Sequence, residues 1–157
     1  MTITVRAATP DDTRFIETLG VRTAAASVSA LRPVPDSAAA RSFRRLLDFC
    51  RAQPDTFTLI AESDAQPAGF VLLLTGVRDD VTQQPQAFIA YMAVERQLRR
   101  SGVGRALLGA AQAHAEKLAL PHLSLMVTAD NAAARDLYRS FGFELERLLL
   151  TKRLTPA

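Results

Sequence analysis

Apolar residues recur along the first half of the chain at two spacings. Recurrence at every second residue predicts strands, and recurrence at every third or fourth residue predicts helices. Residues 2–7, 56–62 and 68–77 are rich in β-branched and other apolar side chains and are bounded by polar turns, as strands are. Between the first two, a helix is predicted from residues 9–12 (TPDD), which is typical of a helix N-terminus, and another from Asp36.

The second half continues with a strand over residues 86–94 that is apolar on both faces. A strand of this kind is expected in the middle of a sheet that is covered on both sides. Strict alternation would put Phe88, Ala90 and Met92 on one face and Ile89, Tyr91 and Ala93 on the other. The pattern then predicts a helix that opens on Gly102, a strand over 122–128, a helix from Asp130 to its terminating Gly142, and a last strand over 143–152.

The resulting element order is β-α-α-β-β-β-α-β-α-β, which predicts an α/β (α+β) fold. Consecutive strands joined by short loops should be antiparallel, whereas the strand–helix–strand unit over 86–128 should be a parallel crossover. We therefore expect a mixed, mostly antiparallel sheet of about six to seven strands with helices on both faces. The length favours a single domain over residues 1–157.

Composition narrows the class of protein. Of the 157 residues, 48% are hydrophobic and 22% are charged, which is typical of a soluble globular chain. The net charge of +3 is too small to predict nucleic-acid binding. The one cysteine, Cys50, lies on the apolar side of the second helix and is expected in the core. No apolar segment is long enough for a membrane span and no signal-peptide pattern opens the chain, so a cytoplasmic location is expected.

The loop after the sixth predicted element, the strand over residues 86–94, has the features of a phosphate site. Arginines and glycines in RRSGVG (99–104) precede the helix, where free N–H groups of a first turn can bind an anion. A P-loop would need Gly-Lys-Ser/Thr, which the chain lacks, and a dinucleotide fingerprint would need a third glycine where Leu107 stands. A glycine pair alone could also be nothing more than a tight helix start.

Two motifs together resemble the GCN5-related N-acetyltransferase (GNAT) superfamily. Residues 99–104 have the form [QR]-x-x-G-x-[GA], which resembles motif A of that family. Residues 131–143 have the form N-x-x-A-x-x-L-Y-x-x-x-G-F, which resembles motif B. The predicted order of strands and helices also matches the family's fold, while the N-terminal helices match in position only.

The resemblance implies acetyl-CoA as co-substrate, with no metal. The pyrophosphate would lie on the loop before the helix, and the pantetheine arm on the backbone of the preceding strand, where the family opens a gap to the next strand. The alternative is that these two strands pair along their whole length. The implied cofactor-binding residues are Met92, Ala93, Val94, Arg99, Arg100, Ser101, Gly102, Val103, Gly104, Arg105, Asn131 and Tyr138.

The resemblance also makes Tyr138 the catalytic acid that protonates the leaving thiolate. A phenol with a pKa of about 10 can donate to a thiol whose pKa is about 8.5. From its position on an apolar helix face, Tyr138 could instead be a core residue with a satisfied hydroxyl. Asn131 could bind the cofactor arm, cap its helix, or do both.

No side chain is a clear general base. Phe88 stands where many family members carry a glutamate. Glu95 is the nearest carboxylate, but we expect it to be solvated, and Tyr91 could face the substrate or the core. His114 and His122 are expected to be structural. The amine could lose its proton through water instead.

The sequence thus predicts an N-acetyltransferase that acts on a primary amine of a small molecule, peptide or protein. The alternative of a different class is a non-catalytic acyl-CoA-binding sensor of the same fold. Neither the acceptor nor the preferred acyl chain can be predicted. Homodimers are common in the family, but the sequence does not give the oligomeric state.

Overall fold

The structure, a computed structural model, describes residues 1–155. Its sheet contains five strands in the order β1-β2-β3-β4-β5. The first four strands pair antiparallel with one another in sequence order. The fifth, β5, pairs parallel with β4, as predicted for the crossover. The strands are β1 (Ile3–Ala7), β2 (Thr56–Ser63), β3 (Gln66–Arg78), β4 (Pro85–Val94) and β5 (Leu123–Leu125).

Four α-helices accompany the sheet in the part of the chain that is described. Thr9 starts the first helical region with a capping box to Asp12, followed by a short 3-10 turn that leads into the helix proper. The helices are α1 (Thr13–Thr23), α2 (Asp36–Ala52), α3 (Val103–Lys117) and α4 (Ala132–Ser140).

Two separate cores confirm that helices cover both faces of the sheet. On one face, α1 and α2 pack through Ile16, Leu19, Phe43 and Leu47. On the other face, α3 contributes the buried side chains of Val103, Leu107, Leu108, Ala111 and Ala115, and α4 packs beside it. Leu118, the C-cap of α3, is exposed.

The prediction of six to seven strands was wrong, because the described residues form only five. The predicted strand over 122–128 is reduced to Leu123–Leu125, and residues 143–152 form no strand at all. An apolar run shows that a segment can pair, but a strand forms only where its backbone bonds to a neighbouring strand, and the described residues after Phe143 make no backbone–backbone hydrogen bond. The predicted single domain ends at Ala157, and residues 156–157 lie outside the described part.

A β-bulge in β4 changes which side chains face each core. Leu72 pairs with Tyr91 and Leu73 with Ile89, so Ala90 is the extra residue. Strict alternation therefore fails at Ala90: Tyr91 packs with Phe88 in the core of α1 and α2, and Met92 packs with the core of α3. The bulge turns the Tyr91 ring towards α1.

No helix among residues 1–155 is long and apolar enough to cross a membrane. Within the same residues, no three histidine, cysteine, aspartate or glutamate side chains lie close enough together to hold a metal ion.

Candidate active site

The sheet opens where β4 leaves β5. Pairing between the two strands covers only Ala87, Phe88 and Ile89, which face Leu123 to Leu125. Beyond this point the chain after β5 turns away, and the Thr128 hydroxyl donates to the Ser27 carbonyl at 2.8 Å. The edge of β4 from Ala90 to Val94 thus has no strand partner in the described chain on that side. Of the two alternatives, whole-length pairing is excluded.

The loop before α3 presents its backbone N–H groups. Gly102, the N-cap of α3, has a φ of +97°, and Arg100 also adopts a left-handed conformation with a φ of +63°. None of the N–H groups from Arg100 to Arg105 has an acceptor among the described residues. Left-handed residues alternating with others turn successive N–H groups to one side, which makes a concave anion site. The helix dipole adds to it.

Gly104 allows α4 to approach the start of α3. A Cβ at this position would lie 3.1 Å from a Leu137 methyl carbon and close to Val94 and Met92. The end of β4, the first turn of α3 and the middle of α4 therefore meet at one point. This contact brings the two sequence motifs together, and it adds a packing reason for the second glycine of motif A.

The three arginines around the loop differ in their surroundings. Arg99 and Arg100 are exposed, and neither forms an ion pair or a side-chain hydrogen bond within residues 1–155. Arg105 instead donates to the Ser140 hydroxyl at 2.8 Å and lies 5.8 Å from the Phe141 ring centre. Arg105 thus links α3 to the end of α4, which its position in the sequence did not indicate.

The remaining residues of this loop and strand are mostly packed. Val103 is fully buried and Ala93 is nearly so, so that only their backbone can face a ligand. The Ser101 hydroxyl donates to the Leu98 carbonyl and so closes the turn before Gly102. Side chains therefore hold this loop in shape, while its N–H groups stay available.

Tyr138 is largely buried, yet its hydroxyl has no hydrogen-bond partner in the described chain. Its ring packs edge-on against Phe143 at 5.8 Å. Burial raises the pKa of Tyr138, and the proximity of Tyr91 adds to this. The sequence left open a core tyrosine with a satisfied hydroxyl. No group in the described chain bonds this hydroxyl, which instead remains accessible to solvent.

Asn131 is the N-cap of α4, and its Oδ1 accepts from the Ala134 N–H at 3.2 Å. The capping role that the sequence allowed is therefore confirmed. The Asn131 backbone N–H donates to the Thr128 carbonyl, which fixes the turn between the chain after β5 and α4.

Tyr91 is the second phenol near this point, and its hydroxyl is bonded. It lies 2.9 Å from the Thr23 hydroxyl and donates to the Gly20 carbonyl at 3.4 Å, while its ring packs against Phe43. Burial raises the pKa of Tyr91, an effect that hydrogen bonding to Thr23 and Ser27 partly offsets. The interpretation of Tyr91 as a core residue agrees with these contacts.

Glu95 is not the solvated residue that we expected. Its carboxylate accepts from both terminal nitrogens of Arg22, at 3.0 and 3.2 Å, and its side chain is only 13% exposed. Arg22 on α1 and Glu95 after β4 are 73 residues apart, so the sequence alone could not indicate the pair. Phe88 packs into the core of α1 and α2, as an apolar replacement for glutamate would.

A cleft of about 320 Å³ lies between α1 and α2. Arg22 and Asp36 give it charge. Neither residue was predicted as part of a site, because both look like ordinary charges at helix ends. The lining residues are Val21, Arg22, Ala25, Asp36, Ser37 and Ala40.

Comparison with known sequences and structures identifies the class of protein. The sequence profile of the acetyltransferase (GNAT) family matches residues 11–143. The chain therefore belongs to the GNAT acetyltransferase family, as its two motifs and its fold predicted.

Individual proteins that are similar to this chain share only a modest sequence identity with it. The rat protein N-acetyltransferase family 8 member 3 is 33% identical over 85 residues, which are 54% of this chain and 37% of that protein. The chain thus matches only about a third of the length of this curated relative.

Solved structures share the fold at low identity. A Pyrococcus furiosus protein described as an acetyl transferase has a TM-score of 0.81 at 21% identity, covering 98% of this chain and all of its own. The enzyme AAC(6')-Iy, in complex with the bisubstrate analogue CoA-S-monomethyl-acetylneamine, has a TM-score of 0.68 at 19% identity, covering 99% of this chain and all of its own.

Proposed function

We propose that this protein is an acetyl-CoA-dependent N-acetyltransferase that transfers the acetyl group directly to a primary amine. The observation that carries the proposal is the free Tyr138 hydroxyl next to the unpaired edge of β4. The hydroxyl is accessible to solvent and makes no hydrogen bond to the described protein, so a ligand in this opening could reach it and take its proton.

The loop before α3 suits the pyrophosphate of CoA. Six consecutive N–H groups, from Arg100 to Arg105, are without a protein acceptor in the described chain, and the exposed guanidinium groups of Arg99 and Arg100 are unpaired. Backbone donors at a helix N-terminus and mobile cations are what a phosphate group needs. The CoA bisubstrate analogue bound to AAC(6')-Iy agrees with this assignment.

The unpaired backbone of Met92 to Val94 suits the pantetheine arm. The arm is a chain of amides, and it can pair with a strand edge in the way a further strand does. Asn131, in addition to capping α4, lies in the turn that bounds the same opening. A backbone N–H of Met92 or Ala93 would then be the donor to the thioester oxygen as it gains charge.

Tyr138 would act as the acid in this reaction. The neutral amine attacks the thioester carbonyl, the C–S bond breaks, and the phenolic proton passes to the thiolate sulfur. The tyrosinate then recovers, through water, the proton that the attacking nitrogen loses as it becomes an amide. Since burial raises the pKa of Tyr138, the phenol stays protonated at neutral pH and can perform this step.

The acceptor would enter through the cleft between α1 and α2. The Asp36 carboxylate in this cleft attracts a cationic amine. Glu95 is bound by Arg22, so it is a weaker candidate for the base than a free carboxylate would be. Proton removal through ordered water fits these surroundings better.

Replacement of Tyr138 by phenylalanine tests the proposal. We expect Tyr138→Phe to bind acetyl-CoA with unchanged affinity in calorimetry and to lower kcat about 10- to 1,000-fold in a free-thiol assay over an amine panel. Tyr91→Phe is the comparison, because it removes a phenol that is already bonded to Thr23. An unchanged kcat in the Tyr138 variant would remove the acid role.

The same measurements decide the alternative of a non-catalytic acyl-CoA sensor. The paired Glu95 and the apolar Phe88 favour that alternative, since neither can serve as a free base. Binding of acetyl-CoA without release of CoA for any amine would support the sensor. Failure to bind acetyl-CoA would contradict both functions.

A further inference from the structure

Residues 28–35, which we call the connecting segment, lead from the region of α1 into α2 with little apolar packing. Of its apolar side chains, only Val28 packs against a core. Every residue from position 30 to position 35 is exposed, and Leu31 and Val34 are 46% and 48% accessible. Apolar contacts therefore hold only the first residue of the segment, and the place of the rest depends on its hydrogen bonds.

The turn before α4 holds the start of this segment at two neighbouring points. The Thr128 hydroxyl donates to the Ser27 carbonyl at 2.8 Å, and the Asp130 carboxylate accepts from the Ala30 N–H at 2.7 Å. The turn is itself fixed, because the Asn131 N–H donates to the Thr128 carbonyl and the Asn131 side chain caps α4. Asp130 thus ties the connecting segment to a well-defined turn.

The other polar contacts of the connecting segment lead away from this turn. Arg153 donates to the Ala30 carbonyl at 2.7 Å, and Arg32 donates to the Thr151 hydroxyl at 3.4 Å. Both contacts involve the chain after α4, whose described residues beyond Phe143 make no backbone–backbone hydrogen bond of their own. In the described chain, the bond to Asp130 is therefore the only hydrogen bond that joins the connecting segment to the turn and helix that carry Tyr138.

The connecting segment begins beside the two phenols of the site. Ser27, directly before it, takes part in the hydrogen bonding of the Tyr91 hydroxyl. Tyr91 in turn lies close enough to Tyr138 to raise its pKa. Thr128, which bonds Ser27, lies where the chain after β5 turns away from β4. The segment therefore borders the opening through which an amine would reach a thioester held along β4.

We propose that Asp130 is a positioning residue for the acceptor: by holding the Ala30 N–H, it fixes the connecting segment as one side of the acceptor site. The inference rests on the proposed function, because it needs acetyl-CoA along β4 and an amine in the opening. Asp130 acts through the backbone of the segment, not on the reacting atoms. A surface that is already in place costs the acceptor less ordering when it binds.

Steady-state kinetics tests this role, with the amine of the panel that the unmodified protein acetylates fastest and with saturating acetyl-CoA. Asp130→Ala removes the acceptor of the Ala30 N–H. It should raise the KM for the amine about tenfold and leave kcat and the affinity for acetyl-CoA unchanged, because only acceptor binding is affected.

Two further variants separate positioning from other effects. Asp130→Asn removes the charge but keeps a carbonyl oxygen that can accept from the Ala30 N–H, so the KM for the amine should stay close to that of the unmodified protein. Asp136→Ala is the matched control, since Asp136 is an exposed carboxylate on α4 that pairs only with Arg139 in the described chain. It should change neither KM nor kcat.

Hydrogen exchange of the Ala30 amide, followed by NMR, tests the contact without any activity. This amide should exchange about ten times faster in Asp130→Ala than in the unmodified protein, and Asp130→Asn should retain its protection. The amides of Leu107 and Ala111 lie in the buried part of α3 and should exchange equally in all variants, which would show that the fold is retained.

The outcomes separate this role from the proposed function. If the unmodified protein releases no CoA with any amine, the proposed function fails and the role of Asp130 fails with it. An active protein in which Asp130→Ala leaves the KM for the amine unchanged would overturn the role alone. An equal rise of KM in Asp130→Asn and Asp130→Ala would mean that the charge attracts the amine directly, which also contradicts positioning. Unchanged exchange at Ala30 in Asp130→Ala would show that the carboxylate does not hold the segment.

Discussion

The two tyrosines of this chain show how hydrogen bonding separates residues that look alike in the sequence. Both lie in apolar patterns, and burial raises the pKa of both. Tyr91 uses its hydroxyl to hold β4 against α1 through Thr23, whereas the Tyr138 hydroxyl has no partner in the described chain. Only the resemblance to motif B distinguished them in the sequence, and the structure adds a physical difference.

The dependence of kcat on pH should reflect the raised pKa of Tyr138. As pH rises, kcat should increase while the bound amine loses its proton. It should not fall again below pH 10, the ordinary pKa of a tyrosine, because burial keeps this phenol protonated to still higher pH. The measurement is a profile of kcat between pH 6 and 10 with a saturating amine.

The Tyr138→Phe variant provides the control for this profile. It should keep the rising limb, which belongs to the amine, at a uniformly lower rate. A descending limb between pH 7 and 9 in the unmodified protein would contradict the assignment of Tyr138 as an acid that stays protonated in this range.

At the scale of elements, the start of α3 depends on the backbone conformation of Gly102. Gly102 has a φ of +97°, which strains any residue with a Cβ. Gly102→Ala should therefore lower the free energy of unfolding by about 1–2 kcal/mol. It should also weaken acetyl-CoA binding about tenfold, because the N–H groups lose their arrangement.

Gly109→Ala is the matched control on the same helix. A Cβ at Gly109 meets no atom within 4 Å. Alanine should therefore stabilise the helix by about 0.5–1 kcal/mol and leave acetyl-CoA affinity unchanged. Thermal unfolding and calorimetry on both variants make the comparison. Equal acetyl-CoA affinity in the two variants would show that the conformation at Gly102 is not needed for binding.

Most elements were predictable because each is fixed by local pattern. The Thr9 capping box, the buried faces of α1 and α2, and the parallel crossover all follow from residues close in sequence. Two features did not follow. The bulge at Ala90 depends on how β3 pairs with β4, and the state of residues 143–152 depends on whether a neighbouring strand exists. Both are properties of pairing rather than of a single segment.

At the scale of the whole molecule, the site lies between two independent cores. The core of α1 and α2 carries Tyr91 and lies beside the cleft between these helices, and the core of α3 and α4 carries the glycine loop and Tyr138. The opening between β4 and the chain after β5 lies where the two meet. The glycine loop and Tyr138 could be located from motifs, whereas the Arg22–Glu95 pair joins distant segments and could not.

One charged network joins β1 and β2 to the first helical turn. It should make the free energy of unfolding depend on pH. Arg6 donates to both oxygens of the buried Asp12 carboxylate, at 2.8 and 2.9 Å, and to Glu62 at 2.7 Å. The Thr9 N–H adds a further bond to Asp12. Hydrogen bonding from Arg6, the largest effect, lowers the pKa of Asp12 to about 2.

A lowered pKa in the folded state means that the stabilisation is present above the unfolded pKa of 3.8 and is lost as pH falls towards 2. Asp12→Asn should therefore lower the free energy of unfolding by about 1–2 kcal/mol at pH 7, allowing for the partial exposure of Arg6. The difference from the unmodified protein should shrink between pH 4 and 2. Urea unfolding over this range checks it, with the neighbouring exposed Asp11→Asn as a variant that changes little. A loss that stays constant down to pH 3 and below would assign the effect to packing at Asp12 rather than to its charge.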